Sequence, residues 1–168
     1  IEDLKIRFFN FDKNIASLKV WPVWSEEQNT PSKRKALINE NYEKFLKEEI
    51  NPKRIIFESM WGEKYDCNPR ALYEYIDKNY PEYECIWAFA DPHRPIKGRG
   101  KRVRYGSLEY YHYLATAKYL VNNVNFPAAY IKRKGQIELQ TMHGTPLKTF
   151  GLEVPGELPT EQARQAYI

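Results

Sequence analysis

Cysteines and long apolar runs are scarce in this chain, and their scarcity excludes several classes of protein. The two cysteines, Cys67 and Cys85, are too few and too poorly spaced for a disulfide framework or a metal knuckle. No run of about 18 apolar residues is present, so no segment predicts a transmembrane helix. A basic start followed by an apolar core, the mark of a secretory signal, is also missing. We therefore expect a reduced, cytoplasmic protein, and both ends of the chain resemble cuts in a longer one.

The composition is that of a folded domain. Apolar residues make up 42% of the chain and aromatic residues 15%, which excludes wholesale disorder. A chain of 168 residues is long enough for one domain with a sizeable core and short for two.

Positive charge is modest in total but concentrated in two clusters. The formal net charge is +4. Clustered positive charge predicts an anionic partner such as a polyanion, and the alternative is an ordinary solvated loop surface. The first cluster comprises Lys97, Arg99, Lys101, Arg102 and Arg104, and the second Lys132, Arg133 and Lys134.

The first fifty residues differ from the rest of the chain. Alternating stretches near residues 4–8 and 18–21 predict strands, residues 25–32 predict a linker, and residues 33–49 an amphipathic helix. A membrane-surface role for this helix is the alternative, although its polar face mixes lysine with glutamate. We place a domain boundary here, with residues 1–50 ending a preceding region and residues 51–168 forming the main domain.

From residue 51 onward the pattern is typical of an α/β fold. Apolar runs predict strands at residues 54–60, 85–90, 119–121 and 136–142, with a short strand through Val103. Asn68 and Pro69 predict one helix start and Ser107 another. Strands that alternate with helices in this way predict a mostly parallel sheet.

Polar residues follow several of these strands. In a parallel sheet, the residues just beyond the carboxyl ends of the strands gather at one edge. This edge would collect residues 59–62, 91–93, 122–126 and 143–148, which together resemble a site for a polar substrate. The alternative for Asn122 and Asn123 is ordinary turn formation.

Among the three histidines, His143 has the most suggestive position. It ends a strand and precedes Thr145, a candidate helix cap, and Pro146, which suits a first helical position. A helix start presents free N–H groups that favour phosphate. We expect His112 to be a packing or surface residue and His93 to be solvated. Position alone leaves the role of His143 open, since no acid or nucleophile is adjacent to it in sequence.

A resemblance to a known family surrounds this histidine. Residues 140–148, preceded by residues 133–136, resemble the signature of the CDP-glycerol:poly(glycerophosphate) glycerophosphotransferase family, which serves teichoic acid and capsule synthesis. The resemblance extends over residues 53–151. Further matches, in order, lie at residues 57–59, 68–73, 106–111, 114–119 and 123–127. Met142 departs from the usual tryptophan and keeps the position apolar.

The resemblance implies a fold and a reaction. The fold would be the N-terminal, acceptor-side Rossmann-like domain of a GT-B-type transferase, with the C-terminal donor domain absent, so that the chain alone would be inactive. His143 would act as general base while glycerol phosphate passes from CDP-glycerol to the hydroxyl end of a poly(glycerol phosphate) or lipid-linked acceptor, releasing CMP.

The same resemblance implies binding residues and a location. We expect no metal and no cofactor, and a peripheral location on the inner face of the cell membrane, whose anionic surface would be a partner. The residues expected to bind substrate are Gly144, Thr145, Lys148, Asn123 and Ser59, with Lys132, Arg133 and Lys134 for polyanion.

Two alternatives stay open at this point. The donor would be CDP-ribitol or another CDP-alditol if the missing half selects it. The chain would instead be a non-catalytic polyanion-binding module if the basic clusters are its main feature, although no nucleic-acid-binding motif is present and we expect no nucleic acid as a partner.

Overall fold

The computed structural model describes residues 4–12 and 15–144 of the chain. Within these ranges seven strands and three helices alternate in the order expected from the sequence. In chain order they are β1 (Leu4–Asp12), β2 (Ile15–Pro22), α1 (Pro31–Phe45), β3 (Asn51–Phe57), α2 (Cys67–Asn79), β4 (Glu84–Phe89), β5 (Lys101–Arg104), α3 (Leu108–Thr116), β6 (Ala117–Asn122) and β7 (Ile137–Gln140).

Five of the strands form one parallel sheet in the order β5-β4-β3-β6-β7. Chain order runs outward from β3 to β4 and β5, then returns past β3 to β6 and β7. The strand order therefore reverses beside β3, where open α/β sheets place their ligand sites. The α/β, Rossmann-like fold class is confirmed. Strands β1 and β2 form a separate antiparallel pair.

Two apolar cores cover the faces of this sheet because its strands carry buried residues on both sides. The core beside α1 and α3 includes Ile38, Tyr42, Ile56, Ile86, Tyr110, Leu114 and Leu120. The core beside α2 includes Ile55, Phe57, Tyr73, Trp87, Phe89 and Val121. The first core includes residues of α1, so this helix packs on the sheet domain. The boundary that we placed at residue 50 stays a prediction.

Several boundaries differ from the sequence-based expectation, and among them helix α1 covers Pro31–Phe45 and not residues 33–49. Helix α2 is capped by Asp66, whose carboxylate accepts the Cys67 N–H at 2.7 Å, and not by Asn68. Strand β3 ends at Phe57, because Met60 turns into the left-handed region. Strand β7 spans only Ile137–Gln140, since Met142 is also left-handed, with φ of 56°.

None of the described helices has the length and apolarity that a bilayer crossing requires.

Candidate active site

A row of buried polar residues marks the ends of the two central strands. Glu58 and Ser59 follow β3 and are fully buried, while Asn122 ends β6 and Asn123 follows it, each 1% exposed. Buried polar groups are stable only when hydrogen bonds replace their lost hydration, so their partners define the site.

Asn123 connects three segments of this edge. Its Oδ1 accepts the Met60 N–H at 3.0 Å, and its Nδ2 donates to Ser59 Oγ at 3.1 Å. Its main-chain carbonyl lies 2.9 Å from His143 Nδ1. The expected site residues Ser59, Asn123 and His143 are therefore brought together by direct contacts. Whether Ser59 and Asn123 bind substrate stays a prediction.

His143 is exposed at this edge, and its contact with Asn123 defines its protonation pattern. A carbonyl oxygen can only accept a hydrogen bond, so Nδ1 must carry the proton. In the neutral ring Nε2 is then the basic nitrogen. Among the described residues, the Asn123 carbonyl is the only hydrogen-bond partner of the ring.

Neighbouring contacts hold the segment that leads to His143. Thr141 N–H donates to the Asn122 carbonyl at 2.8 Å, and Asn68 Nδ2 donates to the Thr141 carbonyl at 3.2 Å. Gln140 Oε1 accepts the Met142 N–H at 3.0 Å. The histidine is thus anchored by β6 and by the first turn of α2.

A strained turn lies on the other side of Asn123. Met60 and Trp61 have φ values of 48° and 54°, a region that L-residues rarely adopt, and Gly62 follows at 78°. A Cβ on Gly62 would lie 2.8 Å from the main-chain nitrogen of Ala90, so the turn packs tightly on the end of β4. The turn leaves the Trp61 side chain 53% exposed. Strain of this kind clusters at functional sites.

Glu58 is a second unusual group that the sequence analysis did not single out as a site residue. Its Oε2 accepts the Tyr110 hydroxyl at 2.5 Å, while Oε1 has no hydrogen-bond partner in the described part of the chain. Burial raises the pKa of Glu58 to about 7, against the opposing effect of the Tyr110 hydrogen bond. The sequence signal was a carboxylate ending an apolar run, but Tyr110 lies 52 positions away.

The basic clusters lie elsewhere and are mostly engaged. In the first, Lys97 pairs with Glu74, Arg99 with Asp77 and Lys101 with Glu84. In the second, Arg133 donates to the main-chain carbonyls of Ala115 and Glu48 at 2.6 and 2.7 Å.

Within the second cluster only Lys132 and Lys134 are exposed cations without such a role in the described contacts. They precede β7, so they lie at the amino edge of the sheet, opposite His143.

The remaining expected residues are only partly covered by the structure. Gly144 is exposed. Thr145 and Lys148, with the helix start predicted there, lie outside the described residues. His112 contacts Glu48 at 2.8 Å and lies far along the chain from the site, and His93 is exposed in a loop.

Across residues 4–12 and 15–144, no three His, Cys, Asp or Glu side chains converge as a metal-binding cluster.

Comparison with known proteins finds related sequences for this chain. Residues 40–167 match the family model described as CDP-Glycerol:Poly(glycerophosphate) glycerophosphotransferase. A teichoic acid poly(glycerol phosphate) polymerase of Staphylococcus epidermidis is 40% identical over 100 residues, which is 59% of this chain and 14% of that protein. A second, from Bacillus spizizenii, is 35% identical over 127 residues, covering 70% of this chain and 32% of that protein.

Solved structures agree with the sequence matches. The wall teichoic acid polymerase TagF superposes with a TM-score of 0.63 at 32% identity, over 79% of this chain and 33% of that one. A TagF variant soaked with CDPG for 30 minutes superposes with a TM-score of 0.64 at 31% identity, over 80% and 34% of the two chains. The chain thus spans about a third or less of the relatives that it matches here.

Proposed function

This chain belongs to the CDP-glycerol:poly(glycerophosphate) glycerophosphotransferase family, and from that premise we propose that it supplies the acceptor-side half of a glycerol phosphate transfer site. The intact enzyme would move glycerol phosphate from CDP-glycerol to the hydroxyl end of a poly(glycerol phosphate) or primed lipid acceptor. CMP is the leaving group, and the context is teichoic acid or capsule synthesis.

One observation carries the proposal: His143 is exposed at the carboxyl edge with Nδ1 held by the Asn123 carbonyl. Its free Nε2 takes the proton of the terminal acceptor hydroxyl. That oxygen forms a bond to the β-phosphorus of CDP-glycerol, and the bond from this phosphorus to CMP breaks. Imidazole suits this role because it exchanges protons in the physiological range.

Other residues contribute binding in this proposal. Gly144, Thr145 and Lys148 follow His143 directly, where main-chain N–H groups and a lysine stabilise phosphate charge. Ser59 and Asn123 border the same edge as buried residues that hydrogen-bond to each other. The reaction uses CDP-glycerol as substrate and no cofactor.

The exposed lysines of the amino edge suggest how the enzyme reaches its acceptor. Lys132 and Lys134 offer unneutralised positive charge for an anionic polymer or for the anionic inner leaflet of the membrane. Such contacts would support a peripheral location on the cytoplasmic face. Their position opposite His143 makes them a holding surface for the polymer or membrane and keeps them out of the chemical step.

The His143→Ala variant of the intact protein tests the proposal. We expect CMP release from CDP-glycerol, with poly(glycerol phosphate) as acceptor, to fall by about 10²- to 10⁴-fold, because general-base catalysis contributes that much. His112→Gln is the matched control, since it removes a histidine that is paired with Glu48 away from the site. Near wild-type CMP release by His143→Ala would rule out His143 as the general base. Faster turnover of CDP-ribitol than of CDP-glycerol by the wild-type protein would show that CDP-ribitol is the donor.

A further inference from the structure

We propose that Asn123 is a positioning residue with two contacts. Its main-chain carbonyl keeps the proton of His143 on Nδ1, and its side chain holds the strained turn after β3. The sequence-based expectation assigned Asn123 to substrate binding. This inference rests on the proposed role of His143. It concerns how the protein fixes the position and protonation of the imidazole ring, and not which residue takes the proton.

The geometry of Asn123 supports the first half of this role. The residue is 1% exposed, and both ends of its amide are used inside the protein, by the Met60 N–H and by Ser59 Oγ. An amide held at both ends cannot turn toward a ligand without giving up two buried hydrogen bonds. It therefore anchors its own main chain, and with it the carbonyl that faces His143 Nδ1 at 2.9 Å.

The position of that carbonyl has a chemical consequence. His143 follows the four-residue strand β7 in an exposed segment, and the carbonyl is the one hydrogen-bond partner of its ring among residues that the structure describes. A ring without this contact would exchange freely between its two neutral forms. A neutral ring that carries its proton on Nε2 has no lone pair on that nitrogen and cannot take the proton of the substrate hydroxyl. If the Asn123 carbonyl is not held in place, a smaller fraction of the protein has the histidine in its active form.

The strained turn supplies the second half. Two consecutive left-handed residues, Met60 and Trp61, cost on the order of 1–2 kcal/mol each and persist only where the surroundings hold them. The hydrogen bond from Met60 N–H to Asn123 Oδ1 is one such restraint. Asn123 thus holds the strained turn through its side chain and faces His143 with its main-chain carbonyl.

The test measures the histidine directly by ¹⁵N NMR of imidazole nitrogens in the intact protein labelled on histidine. Wild type should show the neutral His143 ring with its proton on Nδ1. In Asn123→Ala the signal should move toward a mixture of the two forms. CMP release at saturating substrate should fall by about 10- to 100-fold, as expected for a misplaced group.

Gln136→Ala is the matched control. Gln136 is also a buried amide, 6% exposed, and its Nε2 donates to the carbonyls of Leu114 and Ala117 at 2.8 and 2.7 Å. The substitution should lower stability comparably and leave the His143 spectrum unchanged. Ser59→Ala removes one of the two side-chain bonds of Asn123 and should give a partial change, which decides the question if Asn123→Ala does not fold.

The outcomes separate this inference from the proposed function. An unchanged His143 spectrum in Asn123→Ala, or in Ser59→Ala where that variant decides, overturns the positioning role. An equal spectral change in Gln136→Ala overturns it as well. Full activity of His143→Ala would instead remove the proposed base, while the spectra would still report whether Asn123 sets the ring.

Discussion

The two edges of the central sheet use polar side chains in opposite ways. At the amino edge, Arg54 donates to Glu84 Oε2 and to Thr116 Oγ1, both at 2.7 Å, and Lys101 donates to Glu84 Oε1 at 2.7 Å. Each of these polar groups has a hydrogen-bond partner. Such an edge contributes stability and fixes the starts of β3, β4 and β5.

The carboxyl edge is incompletely satisfied. Within the described residues, Glu58 Oε1 and Asn122 Nδ2 are buried without a hydrogen-bond partner. The left-handed residues Met60, Trp61 and Met142 lie at the same edge. Unsatisfied groups and backbone strain both reduce stability, and they persist together where function requires them. The difference supports the carboxyl edge as the candidate site on energetic grounds.

The largest contrast should be in the pH dependence of two glutamates. Burial raises the pKa of Glu58 to about 7 from its ordinary value of 4.5. Below pH 4.5 the carboxyl is protonated in both states. Between pH 4.5 and 7 the unfolded state loses its proton first, so the free energy of unfolding falls as pH rises. At 1.36 kcal/mol per pKa unit the loss is about 3 kcal/mol by pH 8.

Glu58→Gln keeps an acceptor for Tyr110 and cannot ionise, so its stability should stay flat where that of wild type falls. Urea unfolding of wild type, Glu58→Gln and Glu84→Gln between pH 3 and pH 8 measures both effects. Glu84 is the control of opposite sign. Burial acts to raise the pKa of Glu84, but hydrogen bonds from Lys101 and Arg54 outweigh it and lower the pKa. Its stabilisation is present above pH 4.5 and is lost as pH falls below that value. Parallel pH curves for wild type and Glu58→Gln would refute the contrast.

Arg54→Met should lower stability by removing the hydrogen-bond network of the amino edge. The variant removes hydrogen bonds to Glu84 and Thr116 and the stacking of the guanidinium over Tyr113, 5.1 Å from the ring centroid. We expect a loss of about 2 kcal/mol in the free energy of unfolding, because Glu84 keeps a partly buried charge and Thr116 loses a hydrogen bond. Urea unfolding at pH 7 measures it. The His143 ¹⁵N spectrum should not change, and a change there would show that the two edges are coupled.

Met60→Gly should relieve strain at the carboxyl edge. Glycine adopts the left-handed region without penalty, so the variant should gain about 1 kcal/mol in the free energy of unfolding. Met60→Ala is the matched control, since it removes the same side chain and keeps the strain. CMP release should fall in Met60→Gly, because the turn that hydrogen-bonds to Asn123 becomes less restricted. Equal stability of the two variants would contradict the assignment of strain.

The smallest effect on stability should come from the exposed lysines. Replacing Lys132 and Lys134 with glutamine should change the free energy of unfolding by less than about 0.5 kcal/mol. Binding to poly(glycerol phosphate) or to anionic vesicles should weaken severalfold at low salt and converge with wild type at high salt. Lys101→Gln, which removes an ion-paired lysine, is the control and should lose stability without losing binding. Unchanged binding at low salt would leave the lysines as a plain solvated surface.

Local patterns in the sequence predicted the fold and the position of His143, because strand periodicity and a polar residue at a strand end are local signals. The cap of α2 was misplaced, since Asp66 and Asn68 are both good caps and only the backbone selects between them. The two basic clusters look alike in the sequence and differ in the structure. Lys97, Arg99 and Lys101 of the first cluster are ion-paired, whereas Lys132 and Lys134 of the second have no ion pair among the described contacts. The partners of Lys97, Arg99 and Lys101 lie far along the chain, and sequence alone does not pair them.

The site details were beyond sequence reasoning for the same reason. Glu58 and Tyr110 meet across 52 positions, and Asn123 meets Ser59 across 64. Composition shows an asparagine in a turn-like segment, and only the packing of β3 against β6 shows that its amide is already used. Long-range contacts of this kind decide whether a polar residue is available to a ligand.

The exposed indole of Trp61 gives the site a built-in optical signal. The chain has four tryptophans, and among those whose side chains the structure describes, Trp87 is fully buried and Trp24 is stacked between Arg34 and Arg104. Trp61 is the one of these three that presents most of its ring to water at the carboxyl edge. A ligand that covers the turn after β3 would shield this indole, so the emission of the protein reports occupancy of that part of the carboxyl edge without any label.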